Sequence, residues 1–249
     1  FAFDLGYSRK LGKKSGLGVA LRYISSDLAG GNVNGVSYKK GTAVAGDLHF
    51  FHNGVSEAGN GFNWGVTLSN LGSKISYTSD ATQKDYIPAN LGLGVAYTKV
   101  FDEANKVTLA LDLNKLLVPT PPVLTGNTSS DSAALAKYRS RSVASSWVKS
   151  FGDADGKINE EIQEINLSVG AEYWYNNQFG FRAGYFYEDK RKGNRKYFTL
   201  GAGLRYNVFG IDLAYLIPTD QRNPLENTLH FTLTFDFAAL DGSDDKTEE

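Results

Sequence analysis

Taken two residues at a time, the segment 227–237, NTLHFTLTFDF, sorts into two sides. Leu229, Phe231, Leu233, Phe235 and Phe237 fall on one, and Thr228, His230, Thr232, Thr234 and Asp236 on the other, because successive side chains of an extended chain point to opposite faces. An apolar side facing a polar, ionisable one over this length fits a strand between oil and a wet interior. Strands that cross a bilayer in a tilted barrel need roughly 9 to 11 residues. One strand of this kind decides nothing, because half-buried strands of water-soluble sheets alternate in the same way.

The pattern recurs along the chain. Phe3, Leu5 and Tyr7 oppose Asp4 and Gly6, and Leu17, Val19, Leu21 and Tyr23 oppose Gly18, Ala20 and Arg22. Val44, Leu48 and Phe50 stand against Asp47 and His49; Phe62, Trp64, Val66 and Leu68 against Asn63, Gly65 and Thr67. Further stripes run through Leu91–Tyr97, Val107–Leu113, Ile165–Tyr173, Phe179–Tyr187, Phe198–Tyr206 and Ile211–Tyr215. About eleven strands are predicted. Asn176-Asn177 marks a tight turn between two of them, and residues 25–40, 70–88 and 115–164 read as longer connections.

The ionisable residues all choose the same side. Asp4, Arg22, Asp47, His49, Asp112, Glu172, Arg182, Arg205, Asp212, His230 and Asp236 lie opposite the apolar stripe. A charge facing lipid at mid-depth costs roughly 2 to 4 kcal/mol for Arg or Lys and less for Asp or Glu, so a lipid-facing side is purged of charge. In a lipocalin-like barrel or a sandwich the same stripe would be core. Two features favour the membrane: connections alternate between short and long, and aromatic residues such as Tyr7, Tyr97, Tyr173, Tyr206, Tyr23 and Tyr187 gather at strand ends, as in interfacial belts. The expected fold is all-β, an antiparallel transmembrane β-barrel, with residues 1–237 in the barrel and 238–249 an acidic periplasmic tail. With long loops outside, the first and last strands both run inward. An even strand count then predicts an odd number of strands upstream of Phe1.

Composition narrows the rest. The chain has 249 residues, 27 of them glycine, 14 tyrosine and 15 phenylalanine, with only 6 prolines, a mixture suited to many strands joined by turns. A net charge of -1 gives no general attraction to nucleic acid, and the absence of cysteine removes disulfides and thiolate metal sites. No apolar run is long enough for a transmembrane helix, whereas alternation in barrel strands averages out in hydropathy.

Several longer runs resemble one family. They are FDLGYSRKL (3–11), VALRYISSD (19–27), NLGSKISY (70–77), IPANLGLG (87–94), NKLLVPTPP (114–122), EYWYNNQFGFRAGYFYE (172–188), KGNRKYFTLGAGLRYNVFGIDLAY (192–215) and NPLENTLHFTLTFDF (223–237). In order and spacing they resemble the PorV family, outer-membrane barrels of the Bacteroidetes type IX secretion system related to PorQ and to the FadL fatty-acid channels. The resemblance implies a FadL-like barrel of about fourteen strands when complete. It also implies a role: binding the C-terminal signal domains of secreted cargo at the SprA translocon, also called Sov, and carrying them to the PorU attachment complex. Outer-membrane lipid is the surrounding medium, and no cofactor or catalytic motif is implied. The rival function is a FadL-like channel for hydrophobic small molecules.

Candidate partner-binding residues lie in the long connection, since loops carry recognition on a rigid frame. Leu116, Leu117 and Val118 precede Pro119, Pro121 and Pro122 as an apolar, stiffened exit, and Val143, Trp147 and Phe151 recur at the spacing of one helical face. Both groups could equally fold back as a local lid. Asp153, Asp155 and Gly156 suggest part of a calcium loop, but Phe151 and Ile162 stand where that pattern wants acids, so a polar turn is the simpler reading. No serine has a G-x-S-x-G context, and His49 and His230 read as interior polar residues bonded to neighbours. No metal site or enzyme activity is expected. The interior charges could form an ion-paired plug, a solute path or a gate.

Overall fold

The alternation becomes strands almost throughout. A computed structural model describes residues 1–28, 31–33, 36–79, 83–153, 157–219 and 228–236. Its strands are β1 (Ala2–Lys10), β2 (Ser15–Ser26), β3 (Gly31–Val33), β4 (Val36–Tyr38), β5 (Gly41–Asn53), β6 (Gly61–Gly72), β7 (Asn90–Val100), β8 (Asn105–Leu116), β9 (Ile165–Tyr175), β10 (Phe179–Tyr187), β11 (Lys196–Tyr206), β12 (Phe209–Pro218) and β13 (Leu229–Phe235). Eleven of them form one sheet in the order β1-β2-β5-β6-β7-β8-β9-β10-β11-β12-β13, and β3 and β4 form a separate two-stranded sheet. The chain is all-β in class, and no helix among the described residues is long and apolar enough to cross a membrane. Phe237, the segment 238–249, Asp155 and Gly156 lie outside the described residues.

Chain neighbours pair antiparallel, as hairpin connections require. Asn176 and Asn177 adopt φ of 51° and 52°, and the Gln178 amide donates to the Tyr175 carbonyl at 3.0 Å. This is the mirror-image turn that matches strand twist and that asparagine tolerates.

The faces are exposed the opposite way round from those of a water-soluble sandwich. Along β12, Phe209, Ile211, Leu213, Tyr215 and Ile217 are exposed, while Gly210, Asp212, Ala214 and Leu216 between them are sheltered. Along β2 the exposed positions are Leu17, Val19, Leu21 and Tyr23, with Arg22 in the sheltered series. Phe231 and Phe235 are 63% and 48% exposed, whereas Asp47 is 6% exposed. The apolar stripe is therefore not the core, which removes the sandwich alternative. The end strands β1 and β13 are exposed along their whole length.

Two expectations about connections need correction. The segment 25–40 is not one long loop: β2 continues to Ser26, and the small hairpin of β3 and β4 follows. Among the described residues the connection 115–164 holds three helices, α1 (Thr128–Ser140), α2 (Val143–Lys149) and α3 (Lys157–Gln163), where the spacing predicted only the short one that begins at Val143. Asn127 caps α1 by accepting from the Ser129 and Ser130 amides, but α1 buries no residue, so its apolar spacing gave no signal.

The chain divides into two compact units. The first comprises Phe1–Asn53, Gly65–Leu93 and Asn114–Ile165; the second comprises Gly54–Trp64, Gly94–Leu113 and Asn166–Glu249. In the first, Ala43, Ala45, Ile75 and Ile87 form a small apolar core with Ile24 and Tyr77 against it. Ala43 and Ala45 share a face with Asp47, so the connection between β6 and β7 folds onto the sheet's sheltered face.

Candidate functional site

In the first unit the two long connections are knitted together. Lys74 Nζ donates to the Arg139 and Arg141 carbonyls, each at 2.6 Å, where α1 ends, and its charge complements the negative end of the helix. The same ammonium sits 4.2 Å from the centre of the Tyr86 ring. Tyr86 Oη donates toward the Arg141 and Tyr138 carbonyls at 2.9 and 3.2 Å, and accepts from Ser146 Oγ at 3.3 Å. Burial, then the nearby Tyr86 and Asp85, push the Tyr138 phenol above its ordinary pKa.

The base of the connection has its own strut. Lys115, at the end of β8, reaches Glu164 at 2.6 Å and Glu161 at 3.0 Å. Thr120 Oγ1 is within bonding distance of Glu164 and Asp153, and Arg141 pairs with Asp153 at 3.1 Å. Asp153 is thus held by a cation and a hydroxyl. The Leu117 amide bonds to the Ala89 carbonyl at 2.7 Å.

The apolar candidates divide. Leu117 is 3% exposed and Pro119 is fully buried, so Leu117 presents no surface to a partner in this conformation. Leu116 and Phe151 are exposed at 43% and 54%, and Val118, Val143 and Trp147 are half-buried. Helix α2 hides Ser146 and Ser150 rather than the Val143–Trp147 face. These serines bond to carbonyls one turn back, Ser146 to Ser142 and Ser150 to Trp147, which lets small polar groups pack inside. Val148, Ile158 and Ile162 are also exposed; sequence periodicity missed them because each lies off the 143–147–151 spacing.

In the second unit, charge clusters on the sheltered face. Arg182 on β10 opposes Glu172 on β9 in register, and its Nε donates to that carboxylate at 2.6 Å. Its Nη1 reaches across β11 to Asp212 on β12 at 2.7 Å. Arg205 takes the other oxygen of Asp212 at 2.6 Å. Both guanidinium groups lie over the Trp174 ring, 5.2 and 5.3 Å from its centre. The reach over β11 needs Gly203, where a Cβ would stand 2.6 Å from Asp212 Oδ1 and 3.0 Å from Arg182 Nη1. Two arginines thus meet two carboxylates, and neither cation is left unpaired. Beside them lies a cavity of about 470 Å³, lined by Asp112, Ser168, Glu172, Arg182, Phe186 and Tyr197 among others. The hydrogen bonds expected at His49 and His230 are not made among the described residues; His52 instead pairs with Ser15 at 2.9 Å.

A further ion pair closes the connection from β10 to β11. Arg195 holds Glu188 through two parallel bonds of 2.7 and 2.8 Å, and its amide adds a third. Burial pushes the Glu188 carboxyl up, but these bonds and the Arg195 charge bring it net below its ordinary value. A carboxyl lowered by folding stabilises the folded state above its unfolded pKa, about 4.3 for Glu, and the benefit is lost as pH falls through the folded value. Protection of the 188–195 amides, taken relative to their intrinsic exchange rates, should therefore be high at neutral pH and fall as the solution is acidified below about pH 4. Glu188→Gln should exchange quickly throughout; a loop equally protected in that variant would refute the assignment.

Residues 1–123 match the family described as Type IX secretion system protein PorV. Over those residues the chain is similar to the PorV family. The match spans the strands β1 to β8 and reaches into the start of the long connection. It takes in Lys74, Tyr86, Lys115 and Leu116, but ends before the three helices and before the Arg182 cluster. No curated protein matches the chain. The match supports a component of the type IX secretion system.

Proposed function

We propose that this protein is an outer-membrane β-barrel of the PorV family that binds the C-terminal signal domains of secreted cargo at the SprA/Sov translocon and carries them to the PorU attachment complex. The observation that carries the placement is sidedness. Along β2 and β12 the apolar residues are exposed while Arg22 and Asp212 between them are sheltered, and Asp47 on β5 is buried, which in water would waste the hydrophobic effect and in lipid uses it. The folded 115–164 connection, with Leu116 and Phe151 exposed, supplies a surface for protein partners. The reading assigns no catalytic step and no cofactor.

A FadL-like channel for apolar small molecules is the second reading, favoured by the 470 Å³ cavity on the sheltered face. Against it, both arginines beside that cavity are already paired with carboxylates, leaving neither free for a fatty-acid headgroup. Affinity purification of the tagged full-length protein from outer membranes separates the two. Cargo signal domains and a very large translocon barrel should co-purify. Recovery of bound fatty acid without any protein partner would replace the shuttle with the channel.

A further inference from the structure

We infer that Lys74 and Tyr86 are positioning residues that hold the 115–164 connection in a preformed shape for its partner, so that recognition does not wait for the loop to fold. The inference rests on the shuttle reading for what the partner is, but its structural half stands alone.

The base of the connection has its Lys115 strut, but the elbow between α1 and α2 has little of its own to hold it beyond the Arg141–Asp153 pair. Helix α1 buries no residue, and α2 has seven residues, too short for stability in isolation. The other contacts that fix the elbow between them come from the connection between β6 and β7. Lys74 and Tyr86 together engage three carbonyls there, those of Tyr138, Arg139 and Arg141. Ser146 extends the contact into α2, and the Tyr86 and Tyr138 rings meet edge to face with centroids 5.4 Å apart.

Lys74 and Tyr86 are themselves held rigidly. Their neighbours Ile75 and Ile87 are in the apolar core on Ala43 and Ala45, and Ile75 and Asp85 exchange both backbone hydrogen bonds at 2.9 Å. A path of packed and bonded groups therefore runs from β5, through the β6–β7 connection, to the α1–α2 elbow. Holding a loop in its binding shape removes the ordering cost from association.

The test is the pair Lys74→Met with Tyr86→Phe in the full-length protein, with Lys74→Arg as the conservative control. Amide exchange across 138–146 should rise about tenfold or more, as loss of several hydrogen bonds implies. Exchange in the sheet and heat-modifiable migration in gels should stay unchanged. Capture of a purified cargo signal domain should fall about tenfold, and Lys74→Arg should retain most of it. Unchanged exchange at the elbow would overturn the latch. Faster exchange with undiminished capture would overturn the positioning role. If the unaltered protein captures no cargo domain, the shuttle reading fails, while the exchange result still judges the latch.

Discussion

Phe231→Arg should abolish accumulation of the folded protein in the outer membrane, while Thr232→Arg, one residue on, should leave it nearly intact. Phe231 is 63% exposed on the apolar face and pairs in register with Leu213; Thr232 pairs with Asp212 on the other face. A guanidinium facing hydrocarbon at mid-depth costs about 2 to 4 kcal/mol, a large share of the stability of a typical domain. At Thr232 the new cation would instead meet the carboxylate of Asp212, in the polar series. Abundance in outer-membrane fractions, together with the gel shift between boiled and unboiled samples, reads the outcome. Equal tolerance of arginine at both positions would remove the lipid-facing assignment, because only a difference in medium separates two exposed neighbours.

The second large effect is expected at the charge cluster. Arg182→Leu leaves Glu172 and Asp212 without the cation between them, and Arg205 alone remains to balance the pair. Removing one member of a fully buried ion pair costs about 3 to 5 kcal/mol. Arg182 and Glu172 are each about one-third exposed, so solvent screening brings the expected loss to roughly 1 to 2 kcal/mol. Urea unfolding of the refolded protein in detergent measures it. Glu172→Gln added to Arg182→Leu should restore part of the loss, since the uncompensated charge is then removed. Gly203→Val should weaken the cluster without touching a charged residue, because its side chain would occupy the path between Arg182 and Asp212. If Arg182→Leu unfolds at the same urea concentration as the unaltered protein, the cluster contributes nothing to stability.

The positions of the eleven strands of the large sheet, the alternation of their side chains and the Asn176-Asn177 turn were legible in the sequence; the short hairpin of β3 and β4 was not. A strand has only two faces, so alternation assigns each side chain without knowledge of what lies beyond the strand, and a turn with two positive φ values announces itself by the residues that tolerate them. That argument placed Arg182 and Asp212 on the same face as Glu172 and Arg205. It could not pair them, since the contact from β10 to β12 depends on a glycine at one register position of β11.

The loops were far less legible. Helix α1 has no buried stripe, and its capture by Lys74 and Tyr86 joins residues more than fifty positions apart. The same limit explains Leu117, whose apolar character fits either a docking surface or a packed one until its amide is seen bonded to Ala89. Local alternation determined which face of each strand carries the apolar stripe and which the charges, because that choice is made within each strand. The tertiary structure alone decided which charges meet and how the long connection is held, because those contacts join segments whose spacing along the chain carries no period.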